Sequence, residues 1–153
     1  MSFSLSPIGI FLALGLLVPN ILFILLFPPK NIPSKANKTP WLFVVFERVG
    51  QIGCLCLLII TKNPAGEIIN SWLLLSFLSL ILYYLLWVRY VRSDREYRFL
   101  MKSFLFIPIP LAVLPCCIFI TAAIWGHSFW LGIAAIVFAI GHLKVSSDSR
   151  STI

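Results

Sequence analysis

Glu47, Arg48 and Gln51 lie within the apolar run from Trp41 to Ile60. Inserting an ionisable side chain into a membrane span costs about 2.5–3.5 kcal/mol, so such a residue is a functional hypothesis by default. At helical spacing Glu47, Gly50, Gln51 and Cys54 share one face. That face offers a carboxyl and a carboxamide, groups that hold a proton or a polar ligand. Arg48 sits about 100° around the same helix, so it is no ready-made partner for Glu47. It either meets an anionic headgroup or reaches back to the interface as an anchor. Asn20, Tyr83 and His142 are polar residues in three other apolar runs. The first two offer hydrogen bonds, and His142 offers an imidazole, a titratable partner.

Depth ties these residues together. At about 1.5 Å per residue, Glu47, Asn20, Tyr83 and His142 each lie roughly 5–10 Å from the same end of their runs. Pro108 and Pro110 lie at similar depth in the fourth run. Glu47 and His142 differ in depth by only about 5 Å, which predicts that they face each other. Pro19 leaves an acceptor free beside Asn20, and Pro110 and Pro115 do the same for the carbonyls of Phe106 and Leu111. A hydrated pocket would satisfy such groups. On the last run Gly132, Ala135, Ala139 and His142 form a small-residue face, which lets membrane helices approach closely. Ser76, Ser79, Tyr83, Trp87 and Tyr90 form a comparable stripe.

Each residue also has a structural reading. Glu47 could fix helix packing through a hydrogen bond, and His142 could be a packing or interface histidine. Tyr83, Tyr84, Trp87 and Tyr90 could belong to an interfacial aromatic belt, the preferred reading for the last two. Cys54 and Cys56 are about 200° apart on a helix, and Cys116 and Cys117 are adjacent. With no His or carboxylate at ligand spacing, the four cysteines read as reduced packing residues and no metal site is expected. There is no P-loop, dinucleotide turn or nucleophile elbow, so no cofactor is implied.

Composition sets the frame that positions these groups. Of 153 residues, 60% are hydrophobic and 11% charged, with a mean hydropathy of +1.01. A soluble domain carries about 25% charged residues, and disordered chains have low hydrophobicity. The chain instead reads as all-α, a single transmembrane domain over residues 1–153. Five spans are expected, at about 8–27, 41–60, 68–88, 104–125 and 129–145. Lys and Arg divide ten to one between alternate loops, with Arg48 left inside a span. By the positive-inside rule the N-terminus is outside and the C-terminus cytoplasmic. The net charge of +7 follows from this asymmetry and does not argue for nucleic acid.

Phe27-Pro28-Pro29-Lys30 ends the first helix, and Lys62-Asn63-Pro64-Ala65-Gly66 reads as a turn. Asn37-Lys38-Thr39 matches a glycosylation triplet but lies on the cytoplasmic side before Pro40. No internal repeat of the inverted transporter type is visible. The third loop, Arg89 to Lys102, mixes five basic residues with Phe99, Leu100 and Met101. It either only sets topology or also attracts anionic lipid headgroups.

Phe27-Pro28-Pro29-Lys30-Asn31, Glu47 to Cys54, Ile107-Pro108-Ile109-Pro110 and Gly141-His142 together carry a resemblance. The chain resembles small, uncharacterised multi-span membrane proteins of Gram-positive bacteria. That resemblance implies a bacterial plasma membrane and this architecture, but no activity. Phe46-Glu47-Arg48-Val49 is also similar to the start of the second helix in the membrane-associated eicosanoid and glutathione metabolism family. Its leukotriene-synthase branch continues with an arginine, an asparagine and a glutamate. Gln51, Leu55 and Leu58 stand at those positions here, so the polar groups for glutathione are missing.

The leading expectation is a binding or carrier-like protein with a cytoplasm-facing intramembrane pocket for a small polar or amphipathic ligand. Glu47, Arg48, Gln51, Asn20, Tyr83 and His142 are its candidate ligand-binding residues, with membrane lipids as surrounding partners. One alternative is an enzyme acting on a lipid or amphipathic substrate, with Glu47 or His142 as general base. The other is a subunit of a larger membrane complex.

Overall fold

The computed structural model describes residues 5–33, 38–63, 69–104 and 106–151, apart from the side chains of Phe23 and Ile24. Lys35, Asn37, the turn residues Pro64, Ala65 and Gly66, and the expected third-span start at Ile68 lie outside the described residues. The chain is all-helical, 76% helix, with no strand among the described residues.

The helices start where local chemistry directs. α1 (Pro7–Leu26) opens with proline at its first position, and the Ser6 hydroxyl accepts a hydrogen bond from the Gly9 amide at 3.1 Å. α2 (Trp41–Ile60) follows Pro40. α3 (Ser71–Arg92) is capped by Asn70, whose side-chain oxygen accepts from the amides of Trp72 and Leu73, both at 3.1 Å. α4 (Tyr97–Met101) is a short helix in the loop after α3, reached through Asp94 and Arg95 at positive φ. α5 (Pro110–Trp125) and α6 (Phe129–Arg150) complete the bundle. Ser128 caps α6 by accepting from the Leu131 amide.

Three of these helices, α2, α3 and α6, are long and apolar enough to cross a membrane. The fourth apolar run departs most from expectation. Its helix begins at Pro110, not at Phe104, and is 16 residues long. Prolines at 108 and 110 push Ile107 and Ile109 out of the right-handed helical region. Ile109 takes the left-handed conformation at φ 55°, while Phe104 and Ile107 exchange backbone hydrogen bonds of 3.2 and 3.0 Å. Pro110 therefore sits at a helix start, where its missing donor costs nothing. It does not orphan a helical carbonyl at Phe106. The last helix runs past the expected end at Val145, and the third past Val88 to Arg92.

α5 touches every other helix and buries most of its surface, leaving one narrow face at Ile120 and Ile124 exposed. α2 packs chiefly against α6, α3 against α5, and α1 against α2 and α3. The α2–α6 contact is close because two glycines sit in it. A Cβ on Gly50 would lie 2.5 Å from the Phe138 backbone, and one on Gly141 would overlap the backbone of Glu47. Gly132, expected on this face, has nothing within 4 Å and points to open space. The packing face of α6 is instead Leu131, Ala135, Phe138 and Gly141.

The α3 stripe is buried throughout, from Ser76 to Tyr90. The preferred belt reading of Trp87 and Tyr90 is thereby corrected. Trp87 stacks edge-on with Tyr83 and Tyr90 at 6.2 and 5.7 Å, and the Tyr90 hydroxyl donates to the Phe27 carbonyl at 3.0 Å. Outward faces carry Leu14, Ile21, Val49, Ile52, Ile81 and Ile136, all exposed. An apolar exterior on this scale suits lipid.

The first and third loops meet at one end of the bundle. The Lys30 amide donates to the Arg95 carbonyl at 2.8 Å and the Tyr97 amide to the Lys30 carbonyl at 3.0 Å. The Lys30 ammonium bonds Asp94 at 2.7 Å. The end of α6 joins them by packing on α4.

Candidate functional site

A cavity of about 170 Å³ opens where all six helices converge, beneath α4. α1 contributes Asn20, α2 Gln51, α3 Tyr83 and α6 His142, so four of the six candidate residues line one space. The rest of the wall is largely apolar, including Trp87, Ile109, Pro115, Phe119 and Phe138. This mixture, a few polar groups converging on an apolar wall, is the usual character of a small-molecule site.

Three of these polar groups, Asn20, Tyr83 and His142, are held in two hydrogen-bonded pairs. The Tyr83 hydroxyl donates to the Asn20 side-chain oxygen at 3.0 Å, and the Asn20 amide donates to the Leu16 carbonyl at 3.1 Å. Tyr83 is 2% exposed, so its hydroxyl is fixed by packing as well as by this bond. The second pair is His142 Nδ1 and Glu47 Oε1, 2.7 Å apart across the α2–α6 contact. The expected facing of these residues is present. Gly141 brings the two backbones close enough for the short bond, and Phe138 stacks on the imidazole at 4.7 Å. A histidine whose Nδ1 is occupied has a fixed ring orientation, leaving Nε2 for a second partner.

Glu47 itself lies behind His142 and does not line the cavity. Its carboxyl positions the imidazole. Arg48 is exposed on the outer face of α2 and also stands outside the lining. The helical offset between positions 47 and 48 separates these roles.

Sequence reasoning missed the floor. Leu100 and Met101 of α4 close the cavity at the basic end, with Ile109 and Ser146 beside them. The available signal was the apolar Phe99-Leu100-Met101 inside an otherwise charged loop. Leu111 and Pro115, between which the proline removes a helical hydrogen bond, also line the space. Among the described residues no three His, Cys, Asp or Glu side chains gather as metal ligands. Cys54 and Cys116 are buried and Cys56 is exposed, all as free thiols.

No protein-family model, curated protein or solved structure matches the chain.

Proposed function

We propose that the protein is a five-span plasma-membrane protein, N-terminus outside, that binds or carries a small polar or amphipathic ligand in the cavity beneath α4. The observation that supports this reading is the convergence of Asn20, Gln51, Tyr83 and His142, from four helices, on one largely apolar space. A cavity of about 150 Å³ accommodates benzene, so a volume of about 170 Å³ suits a ligand of that order. Asn20 and Gln51 offer amide donors and acceptors, and His142 offers its Nε2 edge, oriented by the bond between Nδ1 and Glu47.

α1 spans with its 20 residues, about 30 Å. α5 covers about 24 Å, and the irregular backbone before it completes the crossing. Such backbone is tolerated at membrane depth where protein buries it or a cavity borders it. Ile109 meets both conditions. Lys30, Arg95, Arg98 and Arg150 belong to the segments gathered at one end, which the positive-inside rule makes cytoplasmic. Arg48 then serves the headgroup region. The resemblance to small Gram-positive membrane proteins fits this placement.

Native mass spectrometry of protein extracted gently from its own membrane tests the reading. Wild type should retain a small adduct that Glu47→Gln and His142→Ala lose and Arg48→Ala keeps. Equally folded proteins that all lack the adduct would refute it.

The Glu47–His142 pair favours one second reading, an enzyme acting on a lipid or amphipathic substrate. A carboxylate-oriented imidazole at a cavity wall has the layout of a general base. On that reading His142→Ala abolishes turnover while ligand affinity is largely kept.

A further inference from the structure

A second concavity, about 440 Å³, lies outside the bundle between α4 and the end of α6. It is lined by Arg98, Phe99, Met101, Lys102, Ser103 and Arg150. Three cations from segments about fifty residues apart thus face one groove whose lining holds no carboxylate. Glu96 pairs with Arg98. Among the described residues Lys102 and Arg150 make no ion pair, and like charges lining one groove favour an anion between them.

The cations are also preorganised. The Phe99 ring carries the Lys102 ammonium at 4.9 Å and the Arg98 guanidinium at 5.3 Å from its centroid. Arg89 braces the segment, donating to the carbonyls of Lys102 and Ser103 at 3.4 and 3.5 Å. The Ser103 hydroxyl adds a neutral donor to the groove. Phe106, three residues on, is 100% exposed. An unpacked aromatic this close in sequence to a cationic groove suits the boundary between headgroups and acyl chains.

We propose that this groove binds a phosphate-bearing anion, supplied by the headgroup of an anionic membrane lipid. Lys102 and Arg150 neutralise the phosphate, Arg98 and Ser103 donate to its oxygens, and Phe106 enters the acyl region. The groove is separate from the inner cavity and meets it only at Met101, so either proposal can fail without the other.

The test uses the full chain in bilayers of phosphatidylcholine with and without phosphatidylglycerol, followed by native mass spectrometry of retained lipid. Lys102→Gln/Arg150→Gln is compared with Lys38→Gln/Arg92→Gln, which removes the same charge elsewhere. Wild type and the control pair should retain phosphatidylglycerol selectively. The groove pair should bind it about thirtyfold more weakly, at roughly fivefold per basic residue. Both exposed side chains can be lost without unfolding, and Ser103→Ala gives a second, charge-neutral variant that should weaken retention.

A parallel arm titrates inorganic phosphate into detergent-solubilised protein. Phosphate binding lost in the groove pair, without lipid selectivity, would keep the site and make its source soluble. Equal weakening in both pairs, or no preference for anionic lipid together with no phosphate binding, would overturn the proposal.

Discussion

His142 Nδ1 and Glu47 Oε1 stand 2.7 Å apart, joining α2 to α6 across 95 residues of sequence at the point where Gly141 lets the backbones touch. The bond turns two costly polar side chains into one satisfied pair, 23% and 17% exposed. It also holds the imidazole edge toward the cavity.

Removing His142 leaves the Glu47 carboxyl without its partner. His142→Ala should destabilise the protein by about 1–3 kcal/mol, whereas Glu47→Gln, which can still hydrogen-bond the ring, should cost less than about 1.5 kcal/mol. A double-mutant cycle by reversible unfolding in bilayers should give a coupling near the membrane average of about 0.6 kcal/mol or above. Additive single effects would show that the pair is not energetically joined.

Glycine substitutions separate close packing from open space. Gly50→Ala and Gly141→Ala each drive a methyl into helix backbone and should cost about 1–3 kcal/mol. Gly132→Ala meets nothing within 4 Å and should be neutral or slightly stabilising through helix propensity. Thermal unfolding of the three variants in one detergent checks the ranking.

The Tyr83–Asn20 pair should respond unequally. Asn20→Leu removes the amide acceptor from a hydroxyl that is almost fully buried and should cost about 1–3 kcal/mol. Tyr83→Phe leaves Asn20 facing the cavity, where ligand or water can reach it, so its stability cost should be smaller. Comparing unfolding midpoints and retained adduct for both variants decides this, and equal costs would contradict the geometry.

Acid should release the first loop. The hydrogen bond from Lys30 holds the Asp94 carboxyl below the ordinary carboxylate range, with the Lys30 charge adding to it. A depressed folded-state pKa stabilises above the unfolded value and is lost as pH falls through the folded one. The amides of Lys30 and Tyr97 should therefore stay protected from hydrogen exchange at neutral and mildly acid pH. Protection should fade only below the usual carboxylate range. Asp94→Asn should show weakened protection without that acid transition.

The sequence by itself determined the solvent and the depth of the chemistry. Long apolar runs force helices, because lipid offers no partner to an open backbone. Asn20, Glu47, Tyr83 and His142 stand out because polar residues in such runs are costly. Periodicity also grouped Ser76, Ser79 and Tyr83 on one face of α3, and that face is buried. Tertiary structure decided what local periodicity does not encode. It put Glu47 behind His142, turned Arg48 outward, buried Trp87 and Tyr90, and folded Leu100 and Met101 under the bundle. It also set Arg150 beside Lys102. Each of these depends on which helix packs on which, and that choice rests on backbone approach at residues such as Gly50 and Gly141.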